Sequence, residues 1–166
     1  MNSLHSLSAK VSAKVSAKIQ DLGLLTLRII VAQEFLLAGY TKLSGGLTAP
    51  EWFSGLQFPF PLQLLGANLN WVAAGTGEIV LGLALLLGLF GRLAALGLLH
   101  ITFVAVYTVH FDLGWAGWNQ IETDAGLGFK VPLLLGFMLF TIVTQGSGKY
   151  SLDSYLARNK TQAQQA

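Results

Sequence analysis

The sequence predicts an all-α polytopic membrane protein, a bundle of four transmembrane helices. Of its 166 residues, 53% are hydrophobic and only 11% are charged, against about 25% charged in an ordinary soluble domain. The mean hydropathy is +0.59. This composition excludes a disordered chain, and so few charges could not cover the surface of a soluble globule. Four apolar stretches have the length, about 20 helical residues, that crosses a hydrocarbon core: residues 21–43, 67–90, 92–111 and 127–145.

The charges indicate how the helices lie in the membrane. Short loops on the cytoplasmic side of a membrane protein are rich in Lys and Arg. One side carries Lys10, Lys14, Lys18, Arg92, Lys149, Arg158 and Lys160, whereas loops 44–66 and 112–126 carry neither residue type. We therefore expect both termini in the cytoplasm, with a basic segment at 1–20, a transmembrane domain at 21–146 and a tail with a short helix at 147–166.

Composition also narrows the chemistry. There is no cysteine, which excludes disulfides, thiolate metal sites, iron–sulfur clusters and a cysteine nucleophile. The net charge of +2 is too small to indicate a nucleic-acid partner. The bilayer itself is the first partner that the sequence predicts.

The N-terminal segment repeats a four-residue unit, Ser-Ala-Lys followed by Val or Ile, over residues 8–19. On a helix this step keeps Lys10, Lys14 and Lys18 on one slowly drifting stripe. Two interpretations stay open. The segment could be an interfacial helix on anionic lipid, or a low-complexity tail that only fixes the topology.

The loop 44–66 contains the sequence of a short helix and a stiff aromatic turn. Thr48 and Glu51 have the spacing of a capping box, so a helix carrying Trp52 and Phe53 should follow, and then a Phe-Pro-Phe-Pro stretch that includes Phe58 and Phe60. The loop is either a lid over the bundle or an ordinary connector with an aromatic anchor.

The remaining loops carry similar features. Trp115 and Trp118 suit the same interfacial belt, and Thr123 or Asp124 is expected to cap the fourth helix. After that helix, the glycines of 146–148 should end it, and Ser151 should cap a short helix.

Ionisable residues inside the membrane are costly, so each is a candidate functional residue. Glu78 lies between Gly75 and Gly82 at helical spacing, and such a small-residue face packs inside a bundle. Arg28 and Lys42 are its candidate partners, of which we prefer a buried Arg28–Glu78 pair, either as structural glue or as a polar site. Two further polar groups lie in the membrane or at its edge: Glu34 and His110.

The third helix carries His100, Phe103, Tyr107 and His110 within about 80° of one another. The simpler interpretation is a neutral histidine bonded to a neighbour. The alternative is a site for a redox-active molecule such as a quinone, with Glu78, His100 and Tyr107 as catalytic candidates. No metal site is predicted, because the two histidines are about 15 Å apart along a helix.

Three motifs in order resemble those of the DoxX family. Arg28 with 35–42 (FLLAGYTK) is similar to its first-helix motif, Glu78 with 87–95 (LGLFGRLAA) to its helical hairpin, and 146–153 (GSGKYSLD) to its closing motif. The segments 51–53, 58–61 and 108–110 are similar to the DoxX branch associated with metal-binding modified peptides.

The resemblance implies a small four-helix protein of the bacterial inner membrane, in a family named after a thiosulfate:quinone oxidoreductase. Other members resemble membrane partners of redox-defence or peptide-modifying enzymes. Arg28, Lys42, Glu78 and Arg92 match family motif positions, whereas Glu34, His100 and His110 are singled out by their chemistry.

Three functions follow as hypotheses. The first is an anchor or assembly partner of a redox or peptide/metal-stress system, with a membrane or periplasmic protein as its partner and no chemistry of its own. The second is a subunit of an oxidoreductase that contacts quinone. Quinone is the one cofactor that the sequence suggests. The third is a small transporter, for which the buried Glu78 is the only support. Whether the chain is an enzyme, and whether it forms a homo-oligomer, the sequence leaves open.

Overall fold

The computed structural model describes residues 2–164, with side chains from Val15 onward except that of Ala17. Within this range the chain is mainly helical. The six α-helices are α1 Asn2–Ser44, α2 Glu51–Ser54, α3 Ala67–Leu87, α4 Gly91–Thr108, α5 Lys130–Gln145 and α6 Leu152–Ala163. Two 3₁₀ turns, Leu62–Leu64 and Gly114–Asn119, and a small antiparallel hairpin of β1 Glu122–Thr123 and β2 Gly126–Leu127, complete the described structure.

Three of these helices are long and apolar enough to cross a membrane. They are the Lys18–Ser44 part of α1 with 27 residues, α3 with 21 and α4 with 18. The fourth apolar helix, α5, has 16 residues, or about 24 Å at 1.5 Å per residue. The predicted helices are thus present, and three meet the length of a membrane span.

Helix α5 starts later than predicted, and neither predicted cap residue holds its first turn. Its first residue is Lys130, after an N-cap at Phe129 that makes no side-chain bond. Thr123 instead belongs to the hairpin, where its hydroxyl donates to the carbonyl of Gly126 at 3.2 Å. The expectation of a cap at Thr123 or Asp124 was wrong, because the hairpin uses the residues that precede the helix.

The basic N-terminal segment is not separated from the first span. Helix α1 runs unbroken through residues 20 and 21 for 43 residues. The side chains of Lys10 and Lys14 lie outside the described residues, so the choice between an interfacial helix and a topological tail stays a prediction.

The core lies where α1 packs on α3 and α4 packs on α5. Its fully buried side chains form one apolar cluster centred on Val31, Leu85, Leu98, Leu139 and Ile142. The packing of these buried side chains holds the helices together. The outer faces of the bundle keep large apolar side chains, which suit contact with lipid.

The bundle has two chemically different ends. We call the end that includes Lys18, the Gly88–Gly91 turn and Lys149 the basic end. The opposite end, with α2, Trp71 and Trp115, is called the aromatic end. At this end Phe53 packs against Trp71, with ring centroids 4.9 Å apart. The predicted short helix is confirmed, since α2 carries both Trp52 and Phe53. Its capping box is not formed, since Pro50 is the N-cap and no side chain caps the helix.

The closing segment fastens the basic end. Gly146 ends α5, and the hydroxyl of Ser151 accepts a hydrogen bond from the amide of Ser154 at 3.2 Å, which confirms the predicted cap of α6. The carboxylate of Asp153 accepts bonds from the amides of Phe90 and Gly91 at 2.8 and 3.1 Å. A carboxylate on these free amides suits the positive end of the α4 dipole.

Candidate functional site

An ion pair between α1 and α3 is the centre of the candidate site. The ammonium of Lys42 lies 2.8 Å from both carboxylate oxygens of Glu78. Their side chains are 23% and 7% exposed, so the carboxylate is inside the bundle and the lysine reaches it from the helix end. Charge-assisted bonds of this length are the strong class.

The preferred Arg28–Glu78 pair is not formed. Arg28 is 1% exposed and donates four hydrogen bonds to carbonyl oxygens at the basic end: those of Leu85 at 2.9 Å, Leu86 at 2.8 Å, Ser147 at 2.6 Å and Tyr150 at 2.9 Å. Because α1 and α3 run in opposite directions, Arg28 lies level with the end of α3 and Lys42 lies nearer to Glu78. Depth in the bundle, which helical periodicity does not report, selects the partner.

Two glycines bring the ion pair together. A Cβ on Gly39 would lie 2.7 Å from the carbonyl oxygen of Gly75 and 2.8 Å from Cγ1 of Ile79. Neither contact is tolerable for a side chain, so the backbones of α1 and α3 meet here as closely as glycine allows. This close approach places Lys42, one turn beyond Gly39, beside Glu78.

A cavity of about 310 Å³ lies beside the ion pair, at the lower end of the range for small-molecule pockets. Helices α1, α3 and α4 form its walls and the loop with α2 covers it. Its polar lining residues are Lys42, Asn70, Glu78, His100, Thr108 and His110, and its aromatic ones are Trp52, Phe53 and Phe58. Most of the lining is apolar, with a few polar groups, as is typical of cofactor sites.

Asn70 is a lining residue that the sequence reasoning missed. It is 5% exposed, and its amide nitrogen donates to the carbonyl of Leu62 at 3.0 Å. Its side-chain oxygen has no hydrogen-bond partner among the described residues. A buried acceptor without a donor costs free energy, so a donor brought to this oxygen would be stabilising. The sequence feature that could have identified it is a pair of carboxamides, Asn68 and Asn70, near the start of a largely apolar span.

The predicted aromatic residues divide between the cavity and the surface. Trp52, Phe53 and Phe58 line the cavity, but Phe60 is strongly exposed. Trp115 and Trp118 are exposed on the other loop, where Trp115 packs edge-on to a neighbouring phenylalanine, Phe111, at 5.4 Å.

The histidine and tyrosine face of α4 is divided as well. His100 and His110 line the cavity, whereas Phe103 and Tyr107 line a separate apolar groove of about 810 Å³ against α5. The helix ends at Thr108, so His110 no longer follows the helical period and turns toward the cavity. The expectation of one shared site fails because His100 and Tyr107, although both lie within α4, line different cavities.

His110 lies beyond the end of α4, where it is partly buried. Burial lowers the pKa of its imidazole, while the carboxylate of Asp112 and the backbone of Gly128 act in the opposite direction. Desolvation favours the uncharged ring. A neutral imidazole can both donate and accept a hydrogen bond, which is the form that a ligand in the cavity would meet.

The sequence model of the DoxX family matches residues 23–111, more than half of the chain. The chain belongs to the DoxX family. The matched region contains the Lys42–Glu78 pair, Asn70 and both cavity histidines, whereas two of the carbonyls bound by Arg28 lie beyond it.

Relatives extend over most of the chain. An uncharacterized protein of Haemophilus influenzae is 35% identical over 147 residues, covering 85% of this chain and 90% of its own length. A second uncharacterized protein of that bacterium is 30% identical over 133 residues, or 77% and 86% of the two lengths. The inner membrane protein YqjF of Escherichia coli is 28% identical over 144 residues, or 84% and 95%. No solved structure matches this DoxX-family chain.

The cavity can hold an uncharged molecule with hydrogen-bonding oxygens. Lys42 is a donor, Glu78 and Asn70 are acceptors, and the two imidazoles can be either. Among the described residues no group of three or more His, Asp or Glu side chains is placed to hold a metal ion. Glu34 takes no part in this site, because it is exposed on the outer face of α1.

Proposed function

We propose that this DoxX-family protein is a four-span inner-membrane protein whose aromatic-end cavity holds the head group of a quinone, as a quinone-contacting subunit of an oxidoreductase. The observation that carries the proposal is the Lys42–Glu78 pair in the wall of a largely apolar cavity. Quinone oxygens accept hydrogen bonds, and quinol hydroxyls donate them. The cavity offers groups of both kinds.

The position of the cavity also supports a lipid-soluble ligand. His100 lines it from within the apolar part of α4 and is itself exposed. A molecule dissolved in the bilayer would therefore reach the cavity sideways. Glu78 and the imidazoles can carry the two protons that accompany two-electron reduction of a quinone. The electrons would come from a separate redox protein, which makes this chain a subunit.

The proposed topology has both termini in the cytoplasm. Lys18, Arg92, Lys149 and Arg158 belong to the basic end, and the positive-inside rule assigns such an end to the cytoplasm. Helix α5, at 16 residues, serves as the fourth span together with the apolar Leu127 and Phe129 before it. Small bilayer adjustments accommodate a short span at modest cost. The cavity then lies toward the periplasmic face.

A second candidate function is to anchor a periplasmic or membrane enzyme of a redox or peptide/metal-stress system. It is favoured by the exposed aromatic side chains at the aromatic end, of which Trp115 is 81% exposed. Aromatic residues are enriched at protein interfaces, although Trp also suits the lipid interface. The two functions are compatible, since a quinone-contacting subunit needs a redox partner.

The test is to purify the full chain from native membranes in mild detergent and to identify co-purifying quinone by organic extraction and mass spectrometry. We expect stoichiometric quinone in the wild type and about tenfold less in Glu78→Gln. A loss of about 1.4 kcal/mol of binding free energy lowers the affinity tenfold. His100→Leu is the second cavity variant, in case Glu78→Gln inserts poorly. Glu34→Gln is the matched control, an exposed carboxylate outside the cavity, and should keep its quinone.

The outcomes separate the two functions. Absence of quinone from the wild type, or equal amounts in all variants, would refute the quinone site. A stoichiometric protein partner that is lost in Trp115→Ala, without any quinone, would support the anchor instead.

A further inference from the structure

The outer face of α1 is polar where a lipid-facing helix should be apolar. Thr26, Gln33, Glu34 and Thr41 are all exposed there. The two threonine hydroxyls donate to carbonyls one turn earlier in their own helix, at 3.0 and 2.8 Å, and so are satisfied. For Gln33 and Glu34 the described residues supply neither a hydrogen bond nor an ion pair.

These two residues lie near the middle of the span. The midpoint of Lys18–Ser44 is residue 31. Glu34 is three residues from it, a separation of about 4.5 Å along the helix. A carboxyl and a carboxamide group at this depth are costly in lipid, and such groups nearly always face protein or a water-filled cavity. The bundle does not cover them, because α1 turns Arg28, Val31 and Phe35 toward its core.

The exposed residues form one continuous stripe. At 100° per residue, Ile30, Leu37 and Thr41 lie within about 40° of one another, and Gln33 and Glu34 flank this line on either side. Ile30 and Leu37 are both about half exposed. The stripe therefore has Ile30 and Leu37 at its apolar centre, with Gln33 and Glu34 on its two sides at nearly the same depth.

We propose that this stripe packs against the same stripe of a second copy of the chain, forming a parallel homodimer about a two-fold axis normal to the membrane. In such an interface the same contact is made twice, with residue i of one copy on residue j of the other. Gln33 donates its amide to the carboxyl of Glu34 in the second copy, and the reverse bond repeats it.

The chemistry of the stripe is self-complementary, which favours a second copy over another partner. The stripe supplies one donor and one acceptor residue, only about 1.5 Å apart in height. Two parallel copies thus satisfy all four side chains at one depth. A lipid head group does not reach the midpoint of the bilayer, and an unrelated helix would have to bring both groups itself. Lys42, the residue of α1 that lines the cavity, is about 120° around the helix from Ile30, so the dimer leaves the cavity open.

Disulfide cross-linking in native membranes tests the proposal, since the chain has no cysteine of its own. Ile30→Cys and Leu37→Cys place a thiol in the centre of the stripe. Val80→Cys on α3 and Phe137→Cys on α5 are matched controls at exposed, lipid-facing positions. After oxidation with copper phenanthroline we expect dimer from the two stripe variants, at about ten times the yield of the controls.

A second set of variants tests the polar contacts. Adding Gln33→Leu and Glu34→Leu to Leu37→Cys should lower the dimer yield about tenfold, since interhelical hydrogen bonds in membranes contribute at this order. Glu34→Gln should keep it, because two carboxamides can still pair. The wild type in mild detergent should have twice the 17.8 kDa chain mass.

Three results would overturn the homodimer. The stripe and control variants could cross-link equally, the wild type could be monomeric with no cross-linking at Leu37→Cys, or that variant could cross-link to a different protein. The last result would assign the stripe to a heterologous partner.

Discussion

The ammonium of Lys42 and the carboxylate of Glu78 face each other across α1 and α3, with Nζ 2.8 Å from each of the two oxygens. Lys42 lies in the last turn of α1, and Glu78 lies in the middle of α3. The pair therefore joins the two helices at the wall of the cavity and gives that wall its only opposite charges among the described lining residues.

Breaking this ion pair on one side should destabilise the protein more than removing both partners. Lys42→Met and Glu78→Gln should each cost about 3 kcal/mol, the lower end of the range for a buried pair, because Lys42 keeps partial exposure. The double variant Lys42→Met with Glu78→Gln should cost clearly less than the two single losses added together, since no charge is left unpaired. Thermal unfolding in detergent measures all three. Additive losses would show that the pair is not coupled.

Arg28 should not be replaceable by lysine. Its planar guanidinium serves four carbonyls, whereas an ammonium has three donors on a flexible stem. We expect Arg28→Lys to lose about 2–4 kcal/mol, as for a broken buried network.

Arg92→Lys is the matched control for Arg28→Lys, because Arg92 is exposed and makes one bond of 3.3 Å to the carbonyl of Thr144. Its stability should change by less than about 0.5 kcal/mol. Equal effects of the two variants in a thermal unfolding experiment would contradict the structural role of Arg28.

A methyl group should be tolerated at one glycine of α1 and not at another. Gly39→Ala places a Cβ against backbone and should cost about 1–3 kcal/mol through overpacking. It should also reduce ligand binding, because it separates Lys42 from Glu78. Gly23→Ala meets no atom within 4 Å and should stabilise the helix by up to about 1 kcal/mol. The difference in melting temperature between the two variants is the measurement, and a Gly39→Ala protein as stable as wild type would disprove the close helix crossing.

Stability should fall at mildly acidic pH because of His110. Its pKa is lowered in the folded protein, so the unfolded chain binds a proton more readily. The contribution of neutral His110 to the stability of the fold is fully present above the ordinary histidine pKa of about 6.5. It is lost as the pH falls from there through the lowered pKa of the folded protein. Melting temperatures at pH 7.5 and 5.5 should differ less in His110→Asn than in wild type. An unchanged pH dependence in this variant would assign the effect to other groups.

The helices could be predicted from the sequence, since membrane spans are specified by apolar length. Their lateral contacts could not. Helical spacing placed Arg28 and Lys42 on one face with Glu78 opposite, yet the choice between them depended on how far α3 is shifted along α1. The closing segment also reaches back across the chain to Arg28, and such distant carbonyls have no sequence pattern.

The residues of the candidate site could be predicted from the sequence only in part. Lys42, Glu78, His100 and His110 were all identified as polar residues in or near the membrane, and the structure brings them to one cavity. Tyr107 was grouped with them because it shares a helical face with His100, but it lines the separate groove against α5. Helical spacing does not show which of two neighbouring cavities a residue lines. Asn70 was overlooked because a carboxamide carries no charge.

The four carbonyls around Arg28 also set an order of events during synthesis. Ser147 and Tyr150 follow Arg28 by 119 and 122 residues, which a ribosome needs roughly 6–24 s to add at about 5–20 residues per second. Throughout that interval the nascent first helix carries an arginine with at least half of its final acceptors not yet made, since Leu85 and Leu86 follow it by 57 and 58 residues. A chain that stops short of Ser147 therefore keeps only two of the four carbonyl acceptors of Arg28, so its first helix has a buried guanidinium that the rest of the chain does not satisfy.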